Sequence, residues 1–268
     1  MTATSRWNIA LALFVASFGY FVDVYDMWVF AAVRVPSLKA LGVAQDALMG
    51  NGILLLNLQM AGMLLGGIAF GISGDRFGRT RVMFLSILTY SLATLANAYA
   101  PNITVYAVLR FLSGFGLAGE LGLGATLISE ILPKEKRGLG VGLLMGFGVL
   151  APMAAGVCAQ MFDWKTCYLI GGFMGLALLL LRLKVLESPL FTALEADAAA
   201  RRGDVRLLFK NPARLWRFLG CVSLGLPTWT VMGILVTFSE EILGAAGLPA
   251  LAAPILLIYC NSAMPLGN

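Results

Sequence analysis

The sequence predicts an all-α, polytopic membrane protein, and three observations carry that prediction. Hydrophobic residues make up 59% of the 268-residue chain and charged residues only 12%, about half the charged share of a soluble domain. The mean hydropathy is +0.86. Apolar runs of roughly 20 residues recur, each long enough to cross about 30 Å of hydrocarbon as a helix. The short alternating segments of a membrane β-barrel are absent.

Eight transmembrane helices are expected, at about 8–33, 48–72, 82–100, 103–131, 139–161, 166–186, 214–243 and 249–268. The first contains FGYFVDVYDMWVF, Phe18 to Phe30, with two carboxylates in an apolar run. Counted from Asn8 at about 1.5 Å per residue, Asp23 lies about 22 Å along, near mid-depth, and Asp26 follows on the same helical face. The second span runs into GISGDRFGRTR, Gly71 to Arg81. There Gly78 suits a tight turn, and Asp75 suits pairing with a neighbouring arginine or a helix N-terminus. In the fourth span, entered near Ile103, Arg110 lies about 10 Å deep and Glu120 about 25 Å. Its glycines, among them Gly114, Gly116 and Gly119, predict close helix packing. An unpaired charge at such depth costs several kcal/mol, so these ionisable groups must face the bundle interior, water or one another.

Pro152 is expected to bend the fifth span. Cys158 and Cys167 flank the turn between spans five and six. A disulfide is one reading, and small apolar residues in helices the preferred one. The only long polar connection is 187–213, whose 190–202 portion has helix-forming composition suited to the inner membrane surface. It divides a six-helix bundle at 1–186 from 214–268, read as the first two helices of a second bundle. In span seven, Pro227 and Trp229 could break the helix and line a cavity, with packing and interface anchoring the preferred reading.

The formal net charge of +5 does not indicate a nucleic-acid partner, because of where the charge sits. Fifteen of the 19 basic residues fall at the start or in alternate connections; only Arg34, Lys39 and Lys165 fall in the opposite ones, and Arg110 lies within a span. That asymmetry predicts a cytoplasmic N-terminus and a place in a bacterial inner (plasma) membrane. The first span is too long, and too acidic in its outer half, for a signal-peptide h-region. There is no histidine, which removes His metal sites, His general bases and Ser–His nucleophiles. No metal, no cofactor beyond a proton gradient and no enzymatic activity are expected.

Gly71, Asp75, Arg76, Gly78 and Arg79 match the G-x-x-x-D-R-x-G-R signature of the major facilitator superfamily, between the second and third helices. Thr80 stands where a basic residue is usual, with Arg81 beside it. The stretch LRFLSGFGLAGELGLGATLISEILPKEKRG resembles the family's membrane arginine (Arg110), glycine-rich helix and cytoplasmic E-x-x-P-x-x-x-R-G, here Glu130, Pro133, Arg137 and Gly138. Ser113 replaces a frequent Gln. LESP at 186–189 is similar to the segment after the sixth helix in sugar- and metabolite-type members. The resemblance implies two six-helix bundles rocking about a midplane site. It also implies a conformational gating role for Gly71, Asp75, Arg76, Gly78, Arg79, Arg81, Glu130 and Arg137. The first bundle is expected to be complete and the second to be represented by two helices.

Asp23, Asp26, Arg110 and Glu120 are similar in spacing to an acidic pair, arginine and carboxylate of phosphate:proton and related metabolite:proton symporters. Glu120 departs from the Asp of that pattern, and Leu121 and Gly122 replace its Tyr-Pro. The implied function is proton-coupled symport of a small anionic or polar metabolite such as phosphate, an organic acid or a sugar-like compound, within a lipid bilayer. The alternative is a truncated or split half-transporter, or a regulatory membrane component, with a separate chain supplying the remaining helices. A structural ion-pair network is the plainer reading of the four charges. An intramembrane aspartyl protease is disfavoured, because RFGRTR places Asp75 at the membrane surface. Symport is not distinguished from antiport: GFGVLAPMAAG only partly resembles the antiporter glycine-proline motif.

Overall fold

The computed structural model describes residues 3–77, 79–132, 134–186, 212–249 and 252–263. Among them are nine α-helices, one π-helical segment and no strand. The helices are α1 (Ala3–Ala40), α2 (Leu48–Phe77), α3 (Arg79–Asn97), α4 (Ile103–Ile131), α5 (Arg137–Met161), α6 (Trp164–Leu186), α7 (Pro212–Thr228), α8 (Ser239–Ala245) and α9 (Ala253–Ala263). Helix α1 runs beyond the expected end at 33, through Pro36 to Ala40.

Local chemistry explains several helix ends. Asn102 caps α4, its side-chain oxygen accepting the Val105 N–H at 2.9 Å. Asp163 begins α6: the Thr166 hydroxyl and the backbone amides of Lys165 and Thr166 hold its carboxyl below the usual carboxylate range. Arg137 opens α5, and its Nε donates to the carbonyl of Leu132 at 3.1 Å, satisfying an acceptor just past α4.

Within the span expected at 214–243 the helix changes type. Helix α7 stops at Thr228, one residue after Pro227, and a π-helix occupies Trp229–Val236 before the short α8. Proline has no N–H and its ring crowds the carbonyl four residues back, so the α-helical ladder cannot continue unchanged. The Thr230 hydroxyl donates to the Leu226 carbonyl at 2.9 Å, satisfying an acceptor at the break. The expected eighth span is represented by α9, with 264–268 outside the described residues. The 187–211 connection, with its expected surface helix, also lies outside them, as does LESP beyond Leu186.

Five helical stretches among the described residues are long and apolar enough to cross a membrane: Leu13–Ala40, Gln45–Gly74, Arg137–Met161, Trp164–Arg182 and Pro212–Val236. The inner face of α3 is polar: Ser86, Ser91, Thr94 and Asn97 are all fully buried. Large apolar side chains are exposed instead, including Leu64, Ile68, Leu180 and Leu224. That inversion suits a lipid surround, where apolar surface need not be hidden.

Helix α1 is central, packing on α4, α5 and α6, while α2 lies along α4 and α3 between α4 and α6. The α2–α4 contact is made by backbones. A Cβ at Gly62 would collide with the Phe111 carbonyl, one at Gly66 with the Phe115 carbonyl, and one at Gly114 with the Gln59 carbonyl. No other residue type fits so close an approach. On its other side α4 takes a 2.5 Å hydrogen bond from the Ser86 hydroxyl to the Gly116 carbonyl. Helix α9 packs against α5.

Candidate functional site

Asp23 and Asp26 lie near the middle of α1 and are buried. Asp26 is completely enclosed. Its two oxygens take separate hydroxyls, Thr94 Oγ1 from α3 at 2.5 Å and Ser113 Oγ from α4 at 2.6 Å. Hydroxyls can donate to a carboxylate and can equally accept from a protonated one, so this cradle tolerates either charge state. Ser113, the departure from the usual Gln, thus has a definite role as an Asp26 donor.

Arg110 on α4 is also completely buried. One terminal nitrogen, Nη2, donates to Gln59 Oε1 of α2. The guanidinium lies 4.7 Å from the Phe30 ring centroid and 5.8 Å from that of Tyr168. Aromatic faces attract a cation without neutralising it. Nε and Nη1 have no hydrogen-bond partner among the described residues, and neither does Nε2 of Gln59. The buried phenols Tyr106 and Tyr168, hydroxyl to hydroxyl at 2.5 Å, feel the charges of both Asp26 and Arg110. The α4 backbone carries Glu120, whose side chain lies outside the described residues.

The other expected site residues divide by placement. Arg76 and Arg81 are exposed at the α2–α3 junction, and a Cβ at Gly71 would meet nothing within 4 Å. Gly78 and the side chains of Asp75, Arg79 and Glu130 lie outside the described residues. Trp229, at the start of the π-helix, stacks on Trp28 of α1 with ring centroids 6.2 Å apart and planes 14° apart. Both rings line a cavity of about 300 Å³ between α1, α5, the π-helix and α9. Asp23, Asp26 and Arg110 do not line it: Tyr20, Val24, Met27 and Trp28 give α1 its cavity face, while Asp26 points to α3 and α4.

Sequence reasoning missed several contributors. Arg34, one of the few basic residues opposite the charged connections, is buried and bonded to Glu241. The signal was Glu241 itself, a carboxylate inside an expected span. Thr94 belongs to the hydroxyl-rich face of α3, a polar stripe visible at helical spacing. Gln59 and Tyr20 had no such signal. Cys158 and Cys167 are thiols in contact, with Sγ atoms 3.3 Å apart. Among the described residues no group of three His, Cys, Asp or Glu side chains could hold a metal ion.

Comparison with known proteins places this geometry in a family. The chain is 34% identical over 182 residues to a niacin transporter of Acinetobacter baylyi, covering 66% of this chain and 40% of that protein. It is 29% identical over 241 residues to a sialic acid transporter of Escherichia coli, covering 86% and 57%. A crystal structure of a D-xylose-proton symporter superposes with a TM-score of 0.69 at 18% identity, over 95% of this chain and 66% of that one. The chain spans about half the length of the curated relatives it matches. The profile of the Major Facilitator Superfamily matches residues 9–267, and the chain belongs to that superfamily.

Proposed function

We propose that this chain supplies the proton- and anion-handling bundle of a secondary transporter that takes up an organic carboxylate with a proton. The observation that carries the reading is Arg110, a fully buried cation whose Nε and Nη1 have no hydrogen-bond partner among the described residues, on the same helix as Ser113, which bonds the fully buried Asp26. An arginine fork matches a carboxylate in geometry and charge. The compounds for which the two relatives are named, niacin and sialic acid, are unlike in shape but are both carboxylic acids.

Coupling follows from charge balance. With the site empty, the Arg110 cation offsets an ionised Asp26. A substrate carboxylate on Arg110 cancels that cation, and Asp26, left in a low dielectric without a counter-charge, takes a proton. One of the Thr94 and Ser113 hydroxyls then accepts from the new carboxyl O–H while the other goes on donating to the second oxygen. One anion and one proton thereby load together. Asp23 and Glu120, on the same two helices, are proposed to pass the proton to and from Asp26, and the charged α2–α3 junction to gate the movement of the bundles.

The test is uptake of labelled nicotinate and N-acetylneuraminate into proteoliposomes carrying the transporter built on this chain, under an imposed proton gradient. Saturable, gradient-driven uptake of a carboxylate is expected. Asp26→Asn should abolish accumulation while sparing membrane insertion, and Arg110→Lys should fare nearly as badly as Arg110→Ala. Undiminished accumulation in Asp26→Asn removes the proton site, and near-normal affinity in Arg110→Lys removes the carboxylate fork.

A further inference from the structure

Gln59 of α2 is a completely buried amide in a largely apolar helix. Such burial costs free energy unless both ends of the amide find partners. Its Oε1 accepts from Nη2 of Arg110, while its Nε2 has no hydrogen-bond partner among the described residues. Arg110, equally buried, has two more nitrogens in that condition, Nε and Nη1. Three nitrogen donors therefore accompany a single neutral acceptor. That surplus of donors around one cation is the chemistry of an anion site.

Backbone packing holds the pair together. Helices α2 and α4 touch where Gly62 meets the Phe111 carbonyl and where Gly114 meets the carbonyl of Gln59 itself. Phe111 follows Arg110 directly, and Gly114 lies about one turn beyond it. The two contacts bracket the pair, so Gln59 and Arg110 move as one body. The choice of an amide matters. A carboxylate at position 59 would hold the guanidinium and also cancel its charge, and an apolar residue would leave the fork free to turn. The amide fixes the fork and leaves the charge in place. The Phe30 and Tyr168 rings likewise attract the cation without cancelling it.

We infer that Gln59 is the positioning residue of the anion site: its Oε1 fixes Arg110 with the charge uncancelled, and its Nε2 is the neutral donor that joins the arginine on the anion. Position 59 thereby also governs whether Asp26 holds a proton. Ser113, about one turn along α4 from Arg110, joins Asp26 to the same helix, and a negative charge at 59 would act as the arriving anion does. That the anion is a carboxylate rests on the transport reading above; the role of Gln59 in keeping Arg110 charged stands on the Gln59–Arg110 geometry alone.

The experiment is carbodiimide labelling of the purified chain in lipid nanodiscs. Carbodiimides add to protonated carboxyls in apolar surroundings, and tandem mass spectrometry assigns the adduct to Asp26. Asp23, Glu120 and the Tyr106–Tyr168 pair are common to every variant compared, so differences trace to position 59. Gln59→Glu should raise Asp26 labelling about five-fold or more and melt no lower than the wild type, because a buried cation gains a counter-charge. Gln59→Met, uncharged and similar in volume, should label as the wild type does. Nicotinate should raise Asp26 labelling in the wild type, and Gln59→Met should need about ten-fold more of it for the same rise. Unchanged labelling in Gln59→Glu, or a Gln59→Glu chain that aggregates or melts below the wild type, overturns the role of Gln59. Labelling in Gln59→Met as high as in Gln59→Glu overturns it too, since loss of the amide would then suffice. An equal nicotinate requirement in Gln59→Met and wild type removes Nε2 as a donor. If Gln59→Glu raises the labelling while neither nicotinate nor N-acetylneuraminate does so in the wild type, the carboxylate reading falls and the role of Gln59 stands.

Discussion

Arg34 and Glu241, 207 residues apart in the chain, form a two-pronged ion pair with both N···O distances at 2.7 Å. The same guanidinium donates to the Thr237 carbonyl at 3.1 Å and lies 4.6 Å from the Phe238 ring centroid. It thus ties the Ala40 end of α1 to the segment after the π-helix. Gly52 of α2 leaves room for it, since a Cβ there would approach Arg34 Cδ to 2.8 Å.

Glu241→Gln should destabilise the protein more than removing the pair altogether. The single change strands a guanidinium that is 1% exposed, whereas Arg34→Met with Glu241→Leu leaves no charge behind. Breaking such a pair costs about 3–5 kcal/mol when it is fully buried. With Glu241 at 22% exposure, solvent screening reduces this to about 1–3 kcal/mol. Thermal unfolding in detergent measures the order, and a double variant less stable than Glu241→Gln contradicts it.

The glycines of α2 should separate into two classes. Gly62→Ala puts a methyl group into the Phe111 carbonyl and should cost about 1–3 kcal/mol or block folding. Gly71→Ala meets open space and should leave stability unchanged, although Gly71 belongs to the family signature. Size-exclusion profiles and melting temperatures of the two variants decide the matter.

Thr94 and Ser113 share one carboxylate, so their effects should not add. Thr94→Val and Ser113→Ala each remove a hydroxyl from Asp26, with an expected loss of about 1.5–3 kcal/mol apiece. In the Asp26→Asn background each should cost less, because the charge they serve is gone. A double-mutant cycle on unfolding free energy with no coupling between Thr94 and Asp26 would show that the bond does not contribute to stability.

The thiols of Cys158 and Cys167 are close enough to react together. Copper-phenanthroline oxidation should convert them to an intramolecular disulfide, seen as the loss of two hydrogens in intact mass and of two sites for maleimide labelling after unfolding. Cys158→Ser should retain one reactive thiol at this position and show no such mass change. Failure of the wild-type chain to close the bond would mean that the 3.3 Å contact does not persist in the membrane.

Much of this molecule was legible in the sequence alone. Apolar run length and composition are local properties, so the first six helices fell near their expected positions. Helical rise is constant, so the mid-helix placement of Asp23 and Asp26 followed from counting residues. Pro227 marked the break in the seventh span, though not the π-helix that resolves it. What the sequence left undetermined was rotation and partnership. A helix in lipid can be apolar on every side, and it then carries no amphipathic stripe to say which face turns inward. Only packing decided that Tyr20, Val24, Met27 and Trp28 face a cavity while Asp26 turns to Thr94 and Ser113, 68 and 87 residues away. The same holds for Arg34 and Glu241. A charge buried in a bundle must find a partner, but which one it finds is set by the arrangement of helices, a non-local property that no stretch of sequence encodes by itself.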